Sequence, residues 1–356
     1  MQTGPAEAES MMSKDKDTLW SFIVKVENLE LCEAVNFELS IGKVTFVAPS
    51  RLPSRRKRLL GDVPRISELR SSNLKPWFAH FFDDADAFAV IRWKGKAAAI
   101  QNELERKVSD GLAILSLSQL GFSKRRIGAR PSIDRTGGAR REALFLDCRS
   151  EAGWLPMKRV DKFSPLRLDA AWKAFHKSSF FPKLVRLYFD ESLSRSWREE
   201  LWRASVLVGE SFASSEIPQS FLWNMIALEL LLTSRDDKFS TELPKRAKAL
   251  LGWATSWSMD EYETRIRECY EKRCNLVHRG QKNDITVEDL LFTDDLLWNL
   301  FENIAAHPKL FRSKEALVDF SKKVEAEHIL GVRPRTRPKT MIFLSKSYSE
   351  EDFNSI

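Results

Sequence analysis

Eleven consecutive residues, Tyr270-Glu271-Lys272-Arg273-Cys274-Asn275-Leu276-Val277-His278-Arg279-Gly280, hold the densest chemical set in the chain. Arg273, Asn275 and His278 fall within six positions at the end of an expected helix. An imidazole moves protons near neutral pH. A guanidinium holds a phosphate that gains charge in a transition state, and a carboxamide can donate to a phosphate oxygen. Together these groups suit cleavage of an RNA phosphodiester without a metal.

One helix does not bring Arg273 and His278 together. Five residues at about 100° each leave them roughly 140° apart around the axis. Asn275 and His278, three apart, do share a face. Either the helix ends by His278 and the imidazole swings back, or a second copy of the chain supplies the missing partner. A carboxylate stands in an unusual place upstream. Phe221 to Leu232 is apolar almost all round except for Glu229, as in a helix buried on most sides. Burying that charge unpaired is costly. Glu229 therefore reaches solvent, pairs with a structural arginine, or orients the Arg or His of the 270–280 segment.

The elements that must position these groups follow from periodicity. Helices are expected over Pro165 to Ser178, Ser196 to Phe212, Pro218 to Thr233, Ser240 to Trp253, Met259 to His278 and Val287 to Ala306. Ser240, Ser258 and Thr286 precede acidic first turns, and Gly280 suits a helix stop. Short connections between such helices imply an antiparallel bundle. The first half differs. Leu19 to Val26, Val35 to Leu39, Val44 to Val47, Ala87 to Trp93 and Ala143 to Asp147 read as strands, with a helix from about Ala97 to Leu120. The fold class is α+β: a small N-terminal α+β domain with a mainly antiparallel sheet, then an all-α bundle. The expected boundaries are a flexible 1–17, a domain over 18–160, a bundle over 161–330, and a basic, Pro-rich, solvated tail over 331–356. Met341 to Leu344 in that tail could add a strand or dock onto the body.

Three ordered segments carry a family resemblance: Ala227 to Leu231, Glu242 to Gly252, and Tyr270 to Gly280. This order resembles the HEPN superfamily, in particular its Apea-like branch, over roughly residues 165–306. The family signature is an Arg followed after four to six residues by a His, here Arg273 and His278. The family often has a polar residue directly after the Arg; this chain has Cys274 there and Asn275 next. The resemblance implies a homodimer whose paired segments meet across a two-fold axis. It implies attack of an RNA 2′-OH on the adjacent phosphorus, with His278 and Arg273 catalytic, Asn275 assisting and Glu229 supporting. The products would carry a 2′,3′-cyclic phosphate and a 5′-OH, and DNA, lacking the 2′-OH, would not be cut. It further implies a role in phage defence, as an abortive-infection toxin, with the N-terminal half sensing a phage-derived or nucleotide trigger. The rival expectation is a non-catalytic HEPN module that dimerises or binds RNA.

Composition sets the outer limits. The chain has 356 residues, 43% of them apolar, which suits two domains with real cores. With 57 Lys+Arg against 50 Asp+Glu the formal charge is +7, mildly favouring an anionic partner. The cations cluster in Arg51 to Arg58, in Lys124 to Arg141, and in the tail. Lys124, Arg125, Arg126 and Arg130, in an expected glycine-bearing loop, and Arg279 beside the motif are candidate RNA contacts. Cys32, Cys148, Cys269 and Cys274 form no Cys-x-x-Cys pair, so no metal site and no cofactor are expected. His80, His176, His307 and His328 are read as structural or surface residues. The N-terminus has no apolar run of signal-peptide type, and no window suits a membrane helix, so a cytoplasmic protein is expected.

Overall fold

A computed structural model describes residues 19–61, 81–82, 85–95, 100–125, 131–133, 143–147, 152–155, 165–214, 216–251, 259–333, 335–350 and 353. The α+β class holds: an antiparallel sheet lies toward the N-terminus and the remainder is mostly helical. The chain divides into one unit formed by 1–112 with 128–174 and a second formed by 113–127 with 175–356.

The first unit contains strands β1 (Leu19–Val26), β2 (Leu29–Leu31), β3 (Glu38–Ile41), β4 (Val44–Val47), β5 (Ala87–Lys94), β6 (Ala143–Asp147), β7 (Ala152–Leu155) and β8 (Leu166–Leu168). Six of them form a sheet in the order β3-β4-β5-β1-β6-β7, antiparallel throughout. β1 is central, pairing with β5 from Leu19↔Lys94 to Val26↔Ala87. Its run of β-branched and aromatic residues is buried on both faces, as a central strand requires. The expected strand over 35–39 begins later, at Glu38, because Asn36 and Phe37 take left-handed φ values of 56° and 57° in the preceding turn. The basic stretch Arg51 to Arg58 is folded into helix α1 (Leu52–Leu60), entered through a proline in its first turn. Leu52, Leu59 and Leu60 join a core cluster with Ile23, Val47, Phe81, Phe82, Phe88 and Val90. The cations lie on the opposite side, where Glu38 receives Arg55 and Arg58.

Helix α2 (Gln101–Leu117) forms within the expected span. Its last turn belongs to the second unit. A Cβ on Gly209 would collide with the Ala113 carbonyl oxygen, so glycine is what allows this close helix approach.

The expected helix over 165–178 does not form as one piece. Leu166–Leu168 instead pairs in parallel with β2. Asp169 then accepts the Trp172 N–H and opens α3 (Ala170–His176). Ser179 caps α4 (Phe180–Leu187) by accepting the Phe181 N–H. The stretch is thus cut into a strand and one short helix by the Asp169 cap, and Ser179, just beyond it, starts the next helix. The unit boundary falls at 174, later than the expected 160, because β8 pairs with β2 of the first unit in a separate two-stranded sheet.

The bundle continues with α5 (Arg195–Ala213), α6 (Ile217–Leu232), α7 (Phe239–Leu250), α8 (Met259–Arg279), α9 (Val287–Ala306) and α10 (Lys314–Ile329). α5 packs on α6, α9 on α6 and α4, and α7 on α8 and α10. α7 starts at Phe239 without a side-chain cap, so the expected Ser240 cap is not used. Thr286 forms a full capping box with Asp289. α10 lay outside the expected elements, although Ser313 caps it and Leu317, Phe320 and Val324 line its buried side. The described residues of the basic tail are mostly exposed, as expected, with one exception among its cations. Arg337 is buried, and it donates to the carbonyls of Ala249 and Lys248 at the end of α7.

Candidate functional site

α6 brings Glu229 to the site. Its side is set by Phe221, Met225, Leu228 and Leu232, all buried in the bundle. The end of α6 is held by Arg246, whose guanidinium donates to the Leu232 carbonyl at 2.8 Å and to Asp237 at 2.6 Å. Glu229, one turn before that end, is only 7% exposed.

α8 brings the rest. Two of its cations, Arg265 and Lys272, converge on the fully buried Asp289 at 2.5 and 2.7 Å. Asp289 is also the capping-box residue of α9, so one carboxylate fixes α8 against the start of the next helix. Burial alone would raise the Asp289 pKa, but the Lys272 hydrogen bond, the Thr286 N–H and the charges of Arg265 and Lys272 outweigh it and hold the carboxyl below its usual range. Asp289 was not anticipated as a site-building residue. The Thr-x-x-Asp spacing was the available signal, but only for a cap.

With α8 fixed, Arg273 reaches Glu229 at 2.8 Å. The orienting role expected for Glu229 is therefore available to it on the arginine, not on the histidine. The pair is incompletely satisfied: Glu229 Oε1 and Arg273 Nε are both buried without a hydrogen-bond partner. Burial pushes the Glu229 carboxyl up, and the Arg273 guanidinium pulls it back only in part. One turn earlier, Tyr270 is raised by burial and by a hydrogen bond with Cys274. Tyr270 and Cys274 thus complete a half-buried polar cluster around the ion pair.

His278 and Arg279 occupy the last turn of α8 and are exposed; Asn275 is half-buried. Gly280 ends the helix with φ of 66°, and its N–H bonds the Leu276 carbonyl at 3.1 Å. The helix therefore runs past His278. Within one chain the guanidinium faces Glu229 while the imidazole faces solvent.

The other candidate contacts separate. Lys124 is exposed. Arg125 is a correction: it is 5% exposed and cannot meet RNA. Its fork grips both oxygens of Asp294 at 2.8 and 2.6 Å. It also donates to the Ser211 carbonyl at 2.8 Å and lies 4.3 Å over the Phe212 ring. Arg126 and Arg130 lie outside the described residues, as do His80 and Cys148. His176 is a core residue as expected, bonded to Ser179 at 2.7 Å and set among Phe122, Phe175 and Phe181. His307 is half-buried and His328 exposed. The thiols of Cys32, Cys269 and Cys274 are unbridged, and burial pushes Cys269 up to about 12.

Among the described residues no group of three or more His, Cys, Asp or Glu side chains is arranged to hold a metal ion. None of the described helices is long and apolar enough to cross a membrane. Compared with protein-family models, curated proteins and solved structures, the chain gives no match.

Proposed function

We propose that the chain is an endoribonuclease of the HEPN type that cuts RNA without a metal, at a cleft formed where two copies bring their α8 ends together. The observation that carries this reading is the division of labour on α8. A guanidinium is held in place by a buried carboxylate, and an imidazole stands free to solvent one and a half turns later on the same rigid helix. The 140° between them leaves room for a two-fold partner to supply the missing half. Val277, 49% exposed beside His278, gives that contact an apolar element.

In the reaction the 2′-oxygen attacks phosphorus and the bond to the 5′-oxygen breaks. One His278 imidazole takes the 2′-OH proton, and the second, as imidazolium, gives a proton to the departing 5′-oxygen. Arg273 binds the non-bridging oxygens as charge builds on them, and Asn275 donates alongside. Glu229 keeps the guanidinium aimed. A phage-defence role, cutting host or phage RNA once the sheet-bearing unit meets a phage-derived or nucleotide trigger, is consistent with the two-unit layout. Cytoplasmic action follows from that role.

The test compares wild type with His278→Ala and Arg273→Ala on a mixed-sequence RNA and on DNA of the same sequence. The expected result is cleavage by wild type alone, of RNA alone, leaving 2′,3′-cyclic phosphate and 5′-OH ends. Equal cleavage by all three proteins removes the catalytic claim and leaves a module that dimerises or binds RNA.

A further inference from the structure

α9 carries Asp295, Asn299 and Asn303 at intervals of four, and therefore along one face. Four residues of α-helix rise about 6 Å, and two residues of extended chain advance about 6.5 Å. Such a row matches every second residue of an extended polypeptide. The C-terminal segment uses this match. Asn303 exchanges two hydrogen bonds of 3.0 Å with Ile342, Nδ2 to its carbonyl and Oδ1 from its N–H. Asn299 does the same with Leu344, at 2.6 and 2.5 Å. Asp295 accepts the Ser345 hydroxyl at 3.0 Å and the Lys346 N–H. Each carboxamide thus plays the part of a neighbouring β-strand, bonding one residue's own N–H and C=O.

The segment is held by its backbone more than by its side chains. Ile342 is 42% exposed, Ser345 is exposed, and Phe343 and Leu344 are half-buried. Met341 is its one buried apolar residue among those described. The chain before it is anchored separately. Glu327 accepts the backbone N–H groups of Arg335 and Thr336, and Arg337 is buried against the end of α7. The strap from Met341 onward can therefore lift while its root stays fixed. Asn299 and Asn303 are fully buried beneath it. Once uncovered, they present donors and acceptors at the spacing of an extended chain.

We propose that the Asp295–Asn299–Asn303 row is a binding site for extended polypeptide that reads main chain, with Ile342 to Lys346 as its tethered occupant. When the strap lifts, an extended segment of another polypeptide takes its place. Tethering gives the strap an effective concentration in the millimolar range, so a free peptide competes only when the strap is weakened.

The test uses the full chain carrying Ile342→Pro and Leu344→Pro, which removes the two N–H groups that the asparagines accept. The probe is a fluorescent peptide copying residues 339–349, followed by anisotropy. The peptide binds this variant saturably and the wild type at least about ten-fold more weakly. A scrambled peptide of the same composition binds within about three-fold of the original, since side chains are not read. The peptide with proline at the two gripped positions binds roughly ten-fold or more weakly. Failure of the scrambled peptide, retention by the proline peptide, or no binding to a folded variant each overturns the proposal. Hydrogen exchange on the unaltered protein is a second reading that needs no variant. The Ile342 and Leu344 amides exchange together and well before those of α9. Exchange in step with α9 overturns a strap that lifts.

Discussion

Two arginine–carboxylate pairs in the helical unit use the same chemical groups to opposite ends. Arg125 and Asp294 are sealed in the bundle, and neither keeps an unpaired buried atom, although Asn224 Oδ1 beside them has no hydrogen-bond partner. The guanidinium is bidentate, Asn224 adds a 2.7 Å bond to the same carboxylate, and Ser211 receives what remains of the fork. Arg273 and Glu229 sit at the rim, joined by one bond at 2.8 Å, with a buried atom left over on each partner. The histidines divide in the same way. His176 is enclosed by aromatic rings, while His278 points into solvent. Satisfied groups in the interior hold the fold. Groups held in place but left incompletely bonded at an edge keep bonding capacity for something else.

The comparison breaks most readily at Arg125. Arg125→Ala leaves Asp294 charged and buried, and the expected loss is about 3–5 kcal/mol of stability. Arg273→Ala removes a single hydrogen bond to a carboxyl that burial already pushes toward its neutral form, and is expected to cost about 1–2 kcal/mol. Urea unfolding of both variants measures the difference. Equal losses would mean that the rim pair is as structural as the buried one.

His176 gives the next largest effect. Burial pulls its pKa from 6.5 down to about 4. A depressed folded-state pKa contributes stability that is present above the unfolded value and is lost as pH falls. The loss begins near pH 6.5 and is complete below pH 4, and it amounts to about 3 kcal/mol. Unfolding of wild type and His176→Gln at pH 7 and pH 4.5 should show a smaller pH-dependent loss in the variant. An identical loss would show that this imidazole is not what acid disturbs.

Glu229→Gln is milder. The variant keeps an oxygen for Arg273 but gives up the charge, and its stability is expected to fall by about 1 kcal/mol. Burial already disfavours the ionised carboxyl, which limits that loss. If Glu229 aims the guanidinium, RNA cleavage falls by roughly ten-fold with little change in RNA binding. A fall in binding with unchanged turnover would assign Glu229 to substrate affinity instead.

The sequence showed the rim site more clearly than the buried pair, for a physical reason. A lone carboxylate in an apolar helix demands a partner, and the 270–280 segment was one of the three outcomes that local pattern left open for Glu229. Arg125 stood in a stretch whose composition was that of a basic loop. Its partners Ser211 and Asp294 are 86 and 169 residues away, and no local periodicity points to them. The same contrast runs through the fold. β1, β4, β5 and the helices from α5 to α9 follow their hydrophobic periods closely. The stretch over 165–178 failed because β8 is a strand only by virtue of β2, distant in sequence. The docked tail was half legible: its apolar residues suggested docking, but the carboxamide row that receives it is read only once α9 is a helix.

His278→Ala has the smallest expected effect on stability and sharpens the contrast most. The imidazole is exposed in the last turn of α8, and removing it empties no cavity and strands no buried group. Stability should therefore stay within about 0.5 kcal/mol of wild type, since a histidine near a helix C-terminus contributes little at the surface. If His278 transfers the proton, cleavage should fall by about 10²–10⁴-fold in the same sample. An unchanged melting temperature beside that loss separates a residue kept for chemistry from one kept for folding. A large loss of stability would instead place His278 with His176, as part of the scaffold.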